Sequence, residues 1–148
     1  MELKLLSTNK EGTVKFLAKG TTPTMLNTYR RMIVNKVPAM AIDEVEFSEN
    51  SSAIYDEMLA HRLGLLVLKT DKKAYMETEN CKCDGAGCAQ CTLQLSLEAE
   101  GPCTVYAELI KSQDPNVYPA HKKAVVAKLF EDQNIKFIAT VKMGTGKE

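Results

Sequence analysis

The chain has 148 residues, 45% hydrophobic and 26% charged, a balance typical of a soluble globular protein with room for one ordinary domain or two small ones. Nineteen basic side chains offset nineteen acidic ones, and a formal charge of zero argues against a surface built to neutralise many phosphates. No run approaches the roughly 18 apolar residues of a membrane helix, and Met1 to Lys10 lacks an apolar signal core, so the chain is expected to be cytosolic, with neither membrane nor sequence-specific nucleic-acid contacts.

Leu3 and Leu5 alternate with polar neighbours, Glu11-Gly12 offers a turn, and Val14, Phe16 and Ala18 alternate again. Met1 to Lys19 therefore reads as a short hairpin, which Gly20 breaks. Thr22 is a good N-cap and Pro23 fits a first helical position. Met25, Leu26, Tyr29, Met32 and Ile33 then line one face of a helix that stops before Pro38. Hairpin and helix together span about forty residues, below what usually supports a core of its own. The apolar face must meet either the rest of this chain or a partner.

An extended segment, Met40 to Phe47, leads to S-S-A-I-Y-D-E-M-L-A-H-R-L-G-L-L-V-L, Ser51 to Leu68. Ser51 or Ser52 is expected to cap a helix with Asp56 and Glu57 in its first turn and an apolar stripe of Ile54, Met58 and Leu59. Gly64 is expected as a left-handed stop before a strand from Leu65 to Leu68. A β-rich region comes next. Leu93, Leu95, Leu97 and Ala99 alternate with Gln94, Ser96 and Glu98, predicting a strand with one wet face. Glu100-Gly101-Pro102 is expected to turn it into a hairpin with Cys103 to Leu109. Asp114-Pro115-Asn116 and Tyr118-Pro119 mark a loop. Ala124 to Phe130 fits helix or strand, Glu131 to Asn134 reads as a turn, and Ile135, Phe137, Ala139, Val141 and Met143 alternate along a last strand.

The run C-K-C-D-G-A-G-C-A-Q-C places Cys81, Cys83, Cys88 and Cys91 within eleven residues. Thiolates are soft ligands, four of them close a tetrahedral shell at about 2.3 Å from zinc, and a closed shell leaves no open position for catalysis. Gly85 and Gly87 would permit the sharp turns such a wrap requires. One structural zinc is the leading reading, an iron-sulfur cluster the second, and free or disulfide-bonded thiols the third. Cys103 reads as a small buried side chain rather than a fifth ligand.

Catalytic signals are absent from the sequence. His61 and His121 stand far apart with no nucleophile motif beside them, and His61 suits a helix C-terminus. Gly144 to Lys147 lacks the spacing and hydroxyl of a phosphate loop, and no aspartate cluster suggests catalytic magnesium.

The Ser51 to Leu68 segment, with A-I-D-E-V-E-F (Ala41 to Phe47) before it, resembles the D subunit family of archaeal RNA polymerases, related to the bacterial alpha subunit and the third eukaryotic subunit. The helix Thr22 to Ala39, the cysteine cluster with the expected hairpin after it, and the tail V-K-M-G-T-G-K-E (Val141 to Glu148) are similar to that family in the same order. The resemblance implies an α+β chain in two parts: residues 1–40 as the first half of a dimerisation module, and residues 41–148 as a β-rich inserted domain carrying the four-cysteine metal loop. It implies a non-catalytic assembly subunit. The partners it implies are subunit L, met through Leu26, Tyr29 and Ile33 with Arg30 and Arg31 nearer the rim, and the second-largest catalytic subunit, met by the Ser51 to Leu68 unit, together with small assembly subunits. Some members carry a similar four-cysteine zinc site, whereas the family's iron-sulfur clusters lie in a further domain. Full-length members continue past the last residue here, so the chain is expected to be a fragment, a split subunit or a short member. The rival reading, of another class, is a small independent metal-binding or iron-sulfur electron-transfer protein.

Overall fold

A computed structural model describes residues 1–9, 13–70, 73–83 and 86–147. The chain divides into two compact units, Met1–Val37 with Lys147, and Pro38–Gly146.

In the first unit β1 (Glu2–Thr8) pairs antiparallel with β2 (Val14–Lys19), as the alternation predicts; the expected turn at Glu11-Gly12 lies outside the described residues. Gly20 takes a φ of +66°, the left-handed value that glycine adopts without strain. It releases the chain into α1 (Pro23–Lys36), whose Thr22 hydroxyl accepts from the Met25 N–H at 3.3 Å. No described residue of Met1–Val37 is buried.

The second unit holds the core. Its main sheet combines β3 (Ala39–Asn50), β4 (Thr92–Glu100), β6 (Lys111–Ser112) and β8 (Asn134–Gly144) in the order β3-β8-β4-β6. Each neighbouring pair is antiparallel. The sequence alternation becomes the burial pattern: Leu93, Leu95 and Leu97 of β4 and Ile135, Phe137, Ala139, Val141 and Met143 of β8 face one core. Phe47 of β3 meets Phe137 edge to face, ring centroids 5.7 Å apart. The remaining strands, β5 (Cys103–Tyr106) and β7 (Val125–Leu129), pair with each other in a separate two-stranded sheet.

This pairing corrects the expected β4/β5 hairpin. At Glu100-Gly101-Pro102 the chain crosses from one sheet to the other, and Ala107–Leu109 is a 3-10 turn rather than strand. Close backbone approach fixes the crossing. Gly101 N–H donates to the Gln133 carbonyl at 2.7 Å, and a Cβ on Gly101 would collide with the Phe130 carbonyl. Gly101→Ala is therefore expected to destabilise this unit by about 1–3 kcal/mol, read as a lower urea midpoint. An unchanged midpoint would contradict so close an approach.

The segment that carries the resemblance also departs from expectation. Neither serine caps α2 (Asp56–Gly64): Tyr55 holds the cap position without a side-chain bond. The Asn50 side chain braces the turn before the helix instead, donating to the Ile54 carbonyl at 2.9 Å and to Asp56 Oδ1 at 2.6 Å and accepting from the Ser52 hydroxyl at 2.7 Å. Ser51 instead joins the end of β3 to the start of β8, accepting from the Asn134 N–H and donating to its Oδ1, both at 2.7 Å. The buried stripe of α2 is Leu59 and Leu63, with Ile54 half-buried, whereas Met58 points outward. Gly64 is the last helical residue, and its φ is not left-handed. Beyond it Leu65 to Leu68 is no strand. It makes a single bridge, Leu68 to Pro119, held by the Lys69 N–H on the Tyr118 carbonyl and the Ala120 N–H on the Val67 carbonyl, both at 2.8 Å. Among the described residues no helix is long and apolar enough to cross a membrane.

Candidate metal centre

The chain enters the cysteine loop through a 3-10 turn, Thr78–Asn80, with Cys81 N–H donating to the Thr78 carbonyl at 3.2 Å, and leaves it at Cys91, the residue before β4. Between them the backbone folds back on itself. The Cys88 carbonyl accepts from the N–H groups of Cys91 at 2.9 Å and Thr92 at 2.8 Å and from the Thr92 hydroxyl at 3.0 Å. The Cys88 N–H in turn donates to Cys91 Sγ at 3.3 Å. Gly87 has a φ of +78°, so this position does need glycine, while Gly85 lies outside the described residues. No sequence signal marked Thr92 as the clamp on the turn.

These turns gather the four sulfurs. Cys81 Sγ lies 3.5 Å from Cys88 Sγ, Cys83 Sγ 3.5 Å from Cys91 Sγ, and Cys88 Sγ 3.9 Å from Cys91 Sγ, with all four within 4.8 Å of one another. Tetrahedral ligands about 2.3 Å from one ion stand about 3.8 Å apart, so the donor set fits a single thiolate-bound ion. Cys81 and Cys91 are buried, and Cys83 and Cys88 are half-buried. Thiols this close share their protons unequally. Hydrogen bonds from the Cys81 thiol, then the Cys91 thiol, hold Cys83 down to about 6. The Cys83 N–H pulls Cys81 down, but its sulfur contacts and burial outweigh that, and Cys81 is pushed up to about 12.

Beside the loop, Lys142 stands opposite Thr92 in the β4/β8 register and bonds Asp43 Oδ2 at 2.7 Å. Cys103 lies outside the cluster on β5, half-buried against the core, its thiol donating to the Glu100 carbonyl at 3.2 Å.

The other sequence candidates do not converge. His61 and His121 are both exposed, one on α2 and one in the loop before β7. An open groove of about 600 Å³ beside the 3-10 turn Ala107–Leu109 is lined by Glu108, Ile110, Ser112, Asp114 and Lys122 among others, and holds no nucleophile paired with a base. Its Asp114 accepts from the Asn116 N–H and the Tyr75 hydroxyl, which holds its carboxyl below the usual range. On α1, Tyr29, Ile33, Arg30 and Arg31 are exposed and Leu26 is half-buried, while Val34, absent from the sequence stripe, is 60% exposed.

Residues 42–148 match the profile of the RNA polymerase Rpb3/RpoA insert domain. Along its length the chain is similar to DNA-directed RNA polymerase subunit Rpo3 of Archaeoglobus fulgidus, 39% identical over 99% of this chain and 55% of that protein. The subunits of the same name from Pyrococcus furiosus and Methanosarcina acetivorans are 40% and 36% identical over all of this chain, and over 54% and 56% of their own lengths. The chain spans about half the length of the curated relatives it matches.

Proposed function

The chain belongs to the RNA polymerase Rpb3/RpoA insert-domain family, and on that premise we propose that it is a non-catalytic assembly subunit of DNA-directed RNA polymerase, corresponding to the archaeal D subunit. The match of residues 42–148, nearly all of the second unit, to the insert domain carries this reading. In it, residues 1–40 act as half of a dimerisation module that pairs with subunit L. Supporting this, Leu3, Leu5, Phe16, Met32, Ile33 and Val34 are all more than half exposed, a display that singly scattered surface apolar residues do not produce.

The inserted domain then offers a platform to the second-largest catalytic subunit and small assembly subunits, all in the cytoplasm. Met58 and Leu65, 59% and 70% exposed around a cleft they share with Glu57, His61 and Arg62, supply an apolar contact on α2 for the large subunit. The cysteine loop holds one structural zinc. Its spacing suits one ion better than a multi-iron core, in which thiolates bind different irons and stand farther apart, so an iron-sulfur cluster draws less support.

Purification of the tagged chain from its native cells tests the reading. Polymerase subunits, identified by mass spectrometry, should come with it, and the chain alone should incorporate no nucleotide. Reproducible incorporation by the single chain, lost when its own acidic residues are mutated, would overturn the non-catalytic assignment. Recovery free of every polymerase subunit would overturn the assembly role.

A further inference from the structure

Two separate sulfur contacts account for all four cysteines of the loop: Cys81 with Cys88 and Cys83 with Cys91, each at 3.5 Å. Cys88 with Cys91 is longer, 3.9 Å, and joining them would leave Cys81 to bond Cys83 across one intervening residue, where the short ring forces a disulfide from its preferred geometry. Of the three ways to pair four cysteines, the crossed one takes both of the 3.5 Å contacts. Cys103 stands outside, on β5, with its thiol turned to the Glu100 carbonyl.

We propose that the loop has a second, metal-free closed form, reached with hydrogen peroxide or an organic hydroperoxide, in which Cys81 bonds Cys88 and Cys83 bonds Cys91. One thiolate of each pair attacks a peroxide oxygen and breaks the O–O bond, giving a sulfenic acid and releasing hydroxide or alkoxide. The partner thiolate attacks that sulfur, the S–S bond forms, and a second hydroxide leaves. Each pair thus loses two electrons to one peroxide, and the departing oxygens leave as hydroxide or alkoxide and then take up two protons, those shed when the thiols ionised or, in the zinc-bound form, protons from water. An S–S bond of about 2.05 Å needs each pair to close by about 1.5 Å, a local contraction of the loop. Once both bonds exist no thiolate remains, so holding a metal and carrying the disulfides exclude each other. The release of an ion rests on the metal reading above; the pairing does not.

The reduced 148-residue chain, one sample stripped with a chelator and one loaded with zinc, would be titrated with hydrogen peroxide, following free thiols, released zinc and peptide masses. In both samples two equivalents should consume four of the five thiols and leave Cys103 free, with crossed disulfides in the digest. In the loaded sample zinc should appear in step with thiol loss, and dithiothreitol should restore uptake. Cys83→Ser should still form the Cys81 to Cys88 bond with one equivalent. A Cys88 to Cys91 bond, bonds to Cys103, or sulfinic acids without disulfides would overturn the proposal. A chain that never takes up zinc but oxidises in the crossed pattern would refute the metal reading alone.

Discussion

Cys83→Ser and Cys88→Ser should each lower zinc from close to one ion per chain to a small fraction of that, and lower the unfolding temperature of the second unit with it. Four thiolates complete a closed shell, and apparent binding energies for such structural sites are about 10–16 kcal/mol in small peptides, so losing one ligand removes a large part of what orders the loop. The effect should spread because the loop is tied to the sheet. Cys91 is fully buried and runs directly into β4, and the Met76 N–H reaches across to the Gln90 carbonyl at 3.1 Å. Binding must displace thiol protons, so uptake by the wild type should weaken as pH falls. Cys103→Ser, outside the cluster, should leave the metal content unchanged. Elemental analysis and thermal unfolding read all of these, and a wild type that is metal-free yet equally stable would end the assignment.

What the sequence disclosed tracks the range of the interactions involved. β4 and β8 were legible because period-two alternation is local and each strand has one buried face, from Leu93 to Leu97 and from Ile135 to Met143. The cysteine cluster was legible for the same reason: its ligands lie within eleven residues, and Gly87 has the positive φ their spacing suggested. Strand partners were not legible. β4 and β5 are neighbours in sequence with turn residues between them, yet β4 pairs with β8 and β6, because only the close approach of Gly101 to Phe130 and Gln133 sends the chain to the other sheet. In β7 two consecutive buried residues, Val126 and Ala127, blur the period where the ladder to β5 shifts register, which is why Ala124 to Phe130 fitted helix or strand equally. The serine caps failed because both hydroxyls are engaged before the helix begins, Ser51 with Asn134 and Ser52 with Asn50 and Ile54. Leu65 to Leu68 is apolar enough for a strand, but Leu65 and Val67 are exposed and the pairing stops at the one bridge of Leu68 to Pro119.

Leu26→Asp combined with Ile33→Asp should abolish pairing with subunit L while leaving the zinc content as it was. α1 has no buried residue, Ile33 is 64% exposed, and Leu26, two turns earlier on the same face, is half-buried. Burying an exposed leucine or isoleucine side chain fully is worth about 1.5–3 kcal/mol, and Leu26 starts half-buried, so losing both contacts removes roughly 2–4 kcal/mol, about 30- to 1,000-fold in affinity. Two carboxylates placed against an apolar surface add a desolvation cost to that loss. The unchanged zinc content shows that the other compact unit, which holds the cysteines, stays folded, and far-ultraviolet circular dichroism checks that α1 itself still forms. Arg30→Ala and Arg31→Ala should cost far less and make pairing less sensitive to salt, as rim charges do. If the double aspartate variant pairs with subunit L as tightly as the wild type, this face of α1 is not the contact. The exposed apolar side of the β1/β2 hairpin, with Leu3, Leu5 and Phe16, would then be the surface to mutate next.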